Sequence, residues 1–151
     1  MLISALVISC CYLCYEIINK QYFIYKKVNE QIRQMVVLEI LLNMDICQSN
    51  KIYKHGDEEI LLTTPTESKQ YLFASDYIIR IINTSRDTFF IAPFNLQFKF
   101  QNEHQNINTG LIDELSFESL IFNESENFHY KKSYSADVLM EVREEELRIY
   151  K

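Results

Sequence analysis

The first fifteen residues form an unbroken run without a charged residue, a proline or a glycine, and Glu16 carries the first charged side chain of the chain. Such a run is typical of an apolar helix. At about 1.5 Å per residue it would reach roughly 22 Å, short of the ~30 Å hydrocarbon core of a bilayer. No basic residue precedes the run and no small-residue cleavage site follows it, so it does not resemble a secretory signal peptide. We expect the segment to remain part of the protein.

The helical pattern continues beyond this run and becomes amphipathic. No glycine or proline, the usual helix breakers, occurs before Gly56. The pattern predicts one helix from about Leu2 to Gln48, roughly 70 Å long at ~1.5 Å per residue, with two helices joined by a bend as the alternative. Its second half carries apolar residues at three- and four-residue spacing, at Val28, Ile32, Met35, Val36, Leu38, Leu41, Leu42 and Ile46.

After Ser49 and Asn50 the pattern changes from helical spacing to alternation, in short runs separated by polar turn residues. Alternation of this kind predicts β-strands joined as hairpins. The clearest strand is Leu96–Gln101, in which apolar and polar residues alternate strictly. The predicted strands are Lys51–Lys54, Glu59–Leu62, Tyr71–Asn83, Thr88–Ala92, Leu96–Gln101, Ile112–Phe122, Phe128–Lys131 and Ala136–Arg143, with a polar loop over Asn102–Gly110 and a tail, 144–151, that fits a short helix or an edge strand.

Together these elements predict an α+β fold, in which a long N-terminal helix packs on an antiparallel β-sheet. Residues 1–27 would form an apolar helical segment, and residues 28–151 would form the globular domain of amphipathic helix and sheet. Each apolar face needs an apolar partner, and the simplest partner is the other face. The predicted helix–sheet core consists of Leu38, Leu41 and Leu42 from the helix and Leu96, Phe98 and Phe100 from the strand.

Composition narrows the functional classes. The formal net charge is −6 and the pI about 5.1, so the chain lacks the clustered basic residues with which proteins bind nucleic acid. With 48% hydrophobic residues, ten tyrosines and ten phenylalanines, it has enough apolar volume to fold as one domain.

The candidate catalytic and metal-binding residues favour a non-enzymatic protein. Cys11 and Cys14 match a C-x-x-C spacing, but with Cys10 they lie within the apolar run and are expected to pack as small apolar side chains. The three histidines, His55, His104 and His129, lack the close spacing of metal ligands. Glycine-rich phosphate loops, nucleophile elbows and zinc-protease motifs do not occur. We therefore expect no catalytic residue, no cofactor, no metal and no small-molecule substrate.

The order of parts, together with the stretch Met1-Leu-Ile-Ser-Ala-Leu-Val-Ile8, resembles the type IV pilin and type II secretion pseudopilin superfamily. In that family such a stretch directly follows the prepilin signature, Phe-Thr-Leu-x-Glu. The signature does not occur in this chain, and its glutamate would lie directly before Met1. We therefore expect that the start is truncated.

This resemblance implies a structural subunit of a secretion, pilus or DNA-uptake filament. It also implies a single-pass protein of the inner membrane with an extracytoplasmic globular domain. Membrane lipid and other pilin-like subunits would be its partners. The residues expected to pack in the membrane and in the filament are Leu2, Ile3, Leu6, Val7, Ile8 and Leu13.

Two further interpretations are open at this stage. In the first, residues 1–25 anchor an acidic binding module to a membrane, with Lys20, Lys26 and Lys27 on the lipid headgroups. In the second, a soluble protein buries the apolar helix in a dimer.

Overall fold

The computed structural model describes residues 2–101, 103–104, 109–121 and 124–149. Within these ranges the chain is an α+β protein with a long N-terminal helix, α1 (Leu2–Gln48), antiparallel sheets and a second helix, α2 (Ala136–Ile149). The strands are β1 (Lys51–His55), β2 (Glu59–Thr63), β3 (Ser68–Phe73), β4 (Ile78–Ile82), β5 (Ser85–Phe89), β6 (Pro93–Phe100), β7 (Glu103–His104), β8 (Thr109–Leu111), β9 (Glu114–Ile121) and β10 (Glu124–Lys131). The predicted fold class is confirmed at this level.

Helix α1 runs without interruption over 47 residues. The prediction of one continuous helix is therefore confirmed, and the alternative with a bend is wrong. No glycine or proline interrupts the backbone hydrogen bonds of α1. The helix ends where the Ser49 hydroxyl donates to the Ile46 carbonyl oxygen at 2.8 Å, and β1 begins two residues later.

The described strands form two antiparallel sheets. The larger sheet has the order β5-β4-β3-β2-β1-β8, and the smaller one has the order β10-β9-β6-β7. The predicted hairpin around Gly56 is confirmed, because β1 pairs with β2 across it and Gly56 takes the positive φ of 81° that the turn requires. Strands β4 and β5 form a second hairpin through Asn83, which also has a positive φ.

Four predicted elements differ from the structure. The proposed strand Thr88–Ala92 is shifted along the chain, because the turn lies at residues 83–84 and β5 runs from Ser85 to Phe89. The proposed strand Tyr71–Asn83 is two strands, β3 and β4, because a turn closed by the Ala74 N–H and the Tyr77 carbonyl oxygen separates them. The proposed strand Ala136–Arg143 is the first part of α2. Strand β7 lies within the stretch predicted as a loop, Asn102–Gly110, and β8 begins in that stretch and ends at Leu111. Parts of the predictions at residues 102, 105–108, 122–123 and 150–151 lie outside the described residues.

One hydrophobic core joins the C-terminal half of α1 to both sheets. Leu38 and Leu42 are fully buried in it, and Phe98 from β6 is 5% exposed. Leu41 and Leu96 are partly buried against this core. Phe100, at the last position of β6, is half-buried and lies outside the core as far as the structure describes it. The long helix is thus fixed at one end only.

Candidate functional site

Residues 2–27 of α1, the helical arm, extend away from the core. From Ile3 to Lys27 every described side chain is exposed except that of Asn19. Twelve large apolar residues of the arm are more than half exposed: Ile3, Val7, Ile8, Tyr12, Leu13, Tyr15, Ile17, Ile18, Tyr22, Phe23, Ile24 and Tyr25. At roughly 100 Å² of exposed surface per side chain they present about 1,200 Å². A typical monomer shows a largest apolar patch of about 300–600 Å², so the arm has the surface of a protein interface.

The apolar side chains of the arm are not confined to one face. Tyr22, Phe23, Ile24 and Tyr25 are consecutive, and their exposed fractions are 60%, 67%, 55% and 64%. Successive residues of an α-helix are rotated by about 100°, so these four side chains point around the whole helix. Helices that are apolar all round are normally buried on every side. The arm therefore presents exposed apolar side chains on more than one face.

The sequence-predicted packing residues of the arm are exposed wherever the structure describes them. Ile3 is 82%, Val7 53%, Ile8 69% and Leu13 57% exposed. The side chains of Leu2 and Leu6 lie outside the described part of the structure. Cys10, Cys11 and Cys14 are exposed free thiols on the arm, as is Cys47 near the end of α1. No described element covers this apolar surface.

The predicted location in a membrane is wrong. Within the described residues, no helix is long and apolar enough to cross a membrane. The physical reason is that Glu16 ends the uncharged run and Lys20 follows one turn later, so the apolar stretch is interrupted before it reaches a spanning length. The predicted single-pass placement in the inner membrane, with the globular domain outside, is thereby overturned.

A buried ionic cluster fixes the other end of α1. Asp45 is fully buried on the core side of the helix. Its carboxylate accepts hydrogen bonds from Lys69 Nζ at 2.8 Å, from Arg80 Nε at 2.7 Å and from the Tyr71 hydroxyl at 2.6 Å. Because β3 supplies Lys69 and Tyr71 and β4 supplies Arg80, the cluster connects the helix to two neighbouring strands. Each cation also contacts a more exposed carboxylate, Lys69 that of Glu67 and Arg80 that of Asp87, both at 3.2 Å.

The charges of the cluster are paired with one another. Burial by itself would raise the pKa of Asp45, but the hydrogen bonds from Arg80, Lys69 and Tyr71 outweigh it and hold that pKa below its ordinary value. The hydrogen bond to Asp45 is the main cause that raises the pKa of Lys69. Burial is the main cause that raises the pKa of Tyr71. The aspartate therefore stays ionised and paired, which suits a structural anchor and leaves no free base or nucleophile here.

Sequence reasoning missed this cluster, although one signal was present. Asp45 lies next to Ile46 and three residues after Leu42, on the apolar face of an amphipathic helix. A lone carboxylate at such a position needs a buried partner. On the sheet, Arg80 is a lone charged residue in the middle of the apolar strand β4, and it likewise indicates a buried partner.

Three carboxylates that are close in sequence, Asp113, Glu114 and Glu118, have separate partners in the structure. Asp113 accepts a hydrogen bond from the backbone N–H of Gln101. Glu114 accepts from Lys99 Nζ at 3.0 Å, and this hydrogen bond is the main cause that lowers the pKa of Glu114. Glu118 accepts from Asn95 and Ser125. Among the described residues, no group of three or more histidine, cysteine, aspartate or glutamate side chains could hold a metal ion.

The comparisons with known proteins give no family for this chain. No protein-family model matches it, and neither the curated proteins nor the solved structures contain a match.

Proposed function

We propose that this protein is a non-enzymatic structural subunit, similar to a minor pilin or pseudopilin, that assembles with other pilin-like subunits into a filament. In this assembly the helical arms pack against one another and the globular ends lie outside. The observation that carries the proposal is the helical arm itself, which is uncovered and apolar on all sides.

The architecture supports this function in a second way. If subunits are held together through their arms, each arm must be firmly connected to its own globular end. Helix α1 continues from the arm into the core without a break, and its buried end is held by Leu38, Leu42 and the Asp45 cluster. Hydrogen bonds with an ionised partner are roughly twice as strong as those between neutral groups, and removing one partner of a buried ion pair is strongly destabilising.

Assembly through the arm can be tested with two charges. Ile18→Glu combined with Phe23→Glu places carboxylates at two apolar positions of the arm that are 65% and 67% exposed. We expect the unmodified full-length chain to sediment as species larger than a dimer and to form filaments in negative-stain electron micrographs. The doubly substituted chain should sediment as a monomer, because buried unpaired charges oppose helix packing.

A matched control places the same two charges on the globular end. Ser75→Glu with Gln97→Glu alters two exposed polar positions, one in the turn between β3 and β4 and one in β6. This control should assemble as the unmodified chain does. An unmodified chain that stays monomeric across the micromolar range, or an arm variant that still assembles, would refute the proposal.

A further inference from the structure

Helix α1 has a second apolar surface, on the side that faces away from the core. The helix presents Leu38, Leu42 and Asp45 to the core, and all three are fully buried. At about 100° per residue, the opposite side of the helix carries an exposed row of apolar residues. This outer stripe consists of Ile32, Val36, Val37, Ile40 and Met44. Ile40 is 60% exposed, and the other four residues are 37–41% exposed.

The outer stripe is unusual for a helix that packs on a sheet. Such a helix is normally apolar toward the core and polar or charged toward solvent. From Ile32 to Met44, all of which the structure describes, Arg33 is the one charged residue on the outer side, and it is paired with Glu30 at 2.6 Å. A helix that is apolar on two sides normally packs on two sides. The outer stripe therefore indicates a second partner for this half of α1.

The tip of the helical arm matches the outer stripe in chemistry and in length. The arm tip, residues 2–15, has no charged residue, and its side chains are exposed wherever the structure describes them. Tip and stripe are each about 20 Å long at ~1.5 Å per residue. Because both lie on one unbroken helix, the tip cannot fold back onto the stripe of its own chain. A contact between two copies covers both apolar surfaces at once.

The charges of α1 favour a parallel arrangement of the two copies. In an antiparallel arrangement with the tip centred on the stripe, Glu16 would lie level with Glu30 of the other copy. Lys20 would lie level with Lys26 of the other copy. Like charges placed opposite each other oppose packing. The parallel arrangement avoids both pairs and shifts the second copy by about 30 residues, or roughly 45 Å, along the helix axis.

We infer that the outer stripe of each copy binds the arm tip of the next copy, with the two helices parallel. This inference rests on the proposed assembly into filaments and names the contact that gives the filament its direction. Tip and stripe are different surfaces of one chain, so every copy has a free surface for a further copy on either side. A contact of this kind extends into an open filament unless its rotation closes a ring.

Two variants, each with one surface blocked, test the inference on the full-length chain. The tip variant carries Val7→Glu with Ile8→Glu, and the stripe variant carries Val36→Glu with Ile40→Glu. All four side chains are exposed, so both variants should keep the melting temperature of the unmodified chain. Neither variant alone should form filaments, because one of the two surfaces in every contact then carries unpaired charges.

A one-to-one mixture of the two variants gives the decisive result. The stripe of the tip variant and the tip of the stripe variant are intact, so these two surfaces should bind. The other two surfaces are blocked, so growth should stop at a complex of twice the 18.0 kDa mass of the chain, measured by analytical ultracentrifugation. Filaments from either variant alone would overturn the inference, as would a mixture that contains only monomers.

The same experiment separates this inference from the proposed function. If the tip and stripe variants assemble as the unmodified chain does, while Ile18→Glu with Phe23→Glu does not, the arms pack without the contact between tip and stripe. The proposed function would then stand and the inference would fail. An unmodified chain that stays monomeric would refute both. The control with Ser75→Glu and Gln97→Glu should form filaments.

The native thiols give a second test that needs no substitution. Cys14 in the arm tip and Cys47, on the outer side of α1 just beyond the stripe, are exposed and free. In the parallel contact Cys14 lies level with Met44 of the other copy, about 5 Å along the axis from its Cys47. Within one copy the two cysteines are about 50 Å apart along α1. A short bis-maleimide should therefore link Cys14 to Cys47 only between copies, as peptide mass spectrometry detects. Links among the tip thiols alone would overturn the inference.

Discussion

Replacing Asp45 with asparagine tests whether the buried ionic cluster holds the helix on the sheet. The substitution keeps the size and one acceptor oxygen of the side chain but removes its charge. Lys69 and Arg80, whose side chains are 6% and 9% exposed, would then face each other without the carboxylate between them. Breaking a buried ion pair on one side typically costs about 3–5 kcal/mol.

We expect a loss of about 3 kcal/mol, at the lower end of this range, for two reasons. The asparagine oxygen can still accept one hydrogen bond, and the two cations keep their contacts with Glu67 and Asp87. Domains of this size are stable by roughly 5–15 kcal/mol, so the variant should fold with a markedly lower urea midpoint. The measurement is equilibrium urea unfolding of the full-length chain at pH 7, followed by circular dichroism.

Asp76→Asn is the matched control, because Asp76 is exposed and hydrogen-bonds only its neighbour Ser75 in the contacts described. It should change the free energy of unfolding by about 0.5 kcal/mol or less. If Asp45→Asn costs no more than this control, the cluster does not hold the helix, and the structural role argued for it is refuted.

The difference in unfolding free energy between the unmodified chain and Asp45→Asn should depend on pH in a defined direction. The pKa of Asp45 in the folded chain lies below its ordinary value of 3.8, so the ionised side chain stabilises the fold fully above that value. This contribution is lost as the pH falls through the lower pKa of the folded state. The stability difference between the unmodified chain and Asp45→Asn should therefore be constant from about pH 7 to pH 5 and shrink below about pH 4. A difference that grows on acidification would contradict the assignment.

Four further substitutions test the packing and turns of the globular end by urea unfolding. Phe98→Ala should cost about 3–5 kcal/mol because Phe98 is 5% exposed in the core. Lys99→Ala, which loses a partly buried ion pair with Glu114, should cost about 1 kcal/mol. Equal losses would show that the strand register is wrong. Gly56→Ala should cost about 1 kcal/mol because alanine disfavours the positive φ of this turn although no atom lies within 4 Å of an added methyl group, and an unchanged midpoint would contradict this. Tyr134→Phe should cost about 1–3 kcal/mol, because its hydroxyl accepts from the Ile52 N–H and donates to a backbone carbonyl oxygen, and a neutral result would mean that water replaces these bonds without loss.

The sequence was sufficient to predict those helices and strands that depend on the local pattern of apolar and polar residues alone. The absence of glycine and proline over 47 helical residues predicted α1 with its bounds, and strict alternation predicted the strand that contains Phe98. Prediction from the sequence failed where one pattern fits both a strand and a helix. Val138 and Val142 fit an alternating strand, but their four-residue spacing also fits a helix, and the residues Glu141–Glu146 favour the helix by propensity.

The candidate sites were harder to predict because they are assembled from distant parts of the chain. Asp45 meets residues 24 and 35 positions away, and no spacing rule connects a helix with the particular strands on which it lies. Only the helical arm was apparent in advance, because its apolar character is continuous in sequence.

The unbroken course of α1 also makes it a lever. The arm is about 39 Å long at 1.5 Å per residue, so a rotation of about 5° at the anchored end moves its tip by about 3 Å. Packed side chains tolerate errors well below that distance. Small changes around Asp45 would therefore be magnified along the arm, and the geometry with which arms meet would in turn dictate the angle at which each globular end is presented.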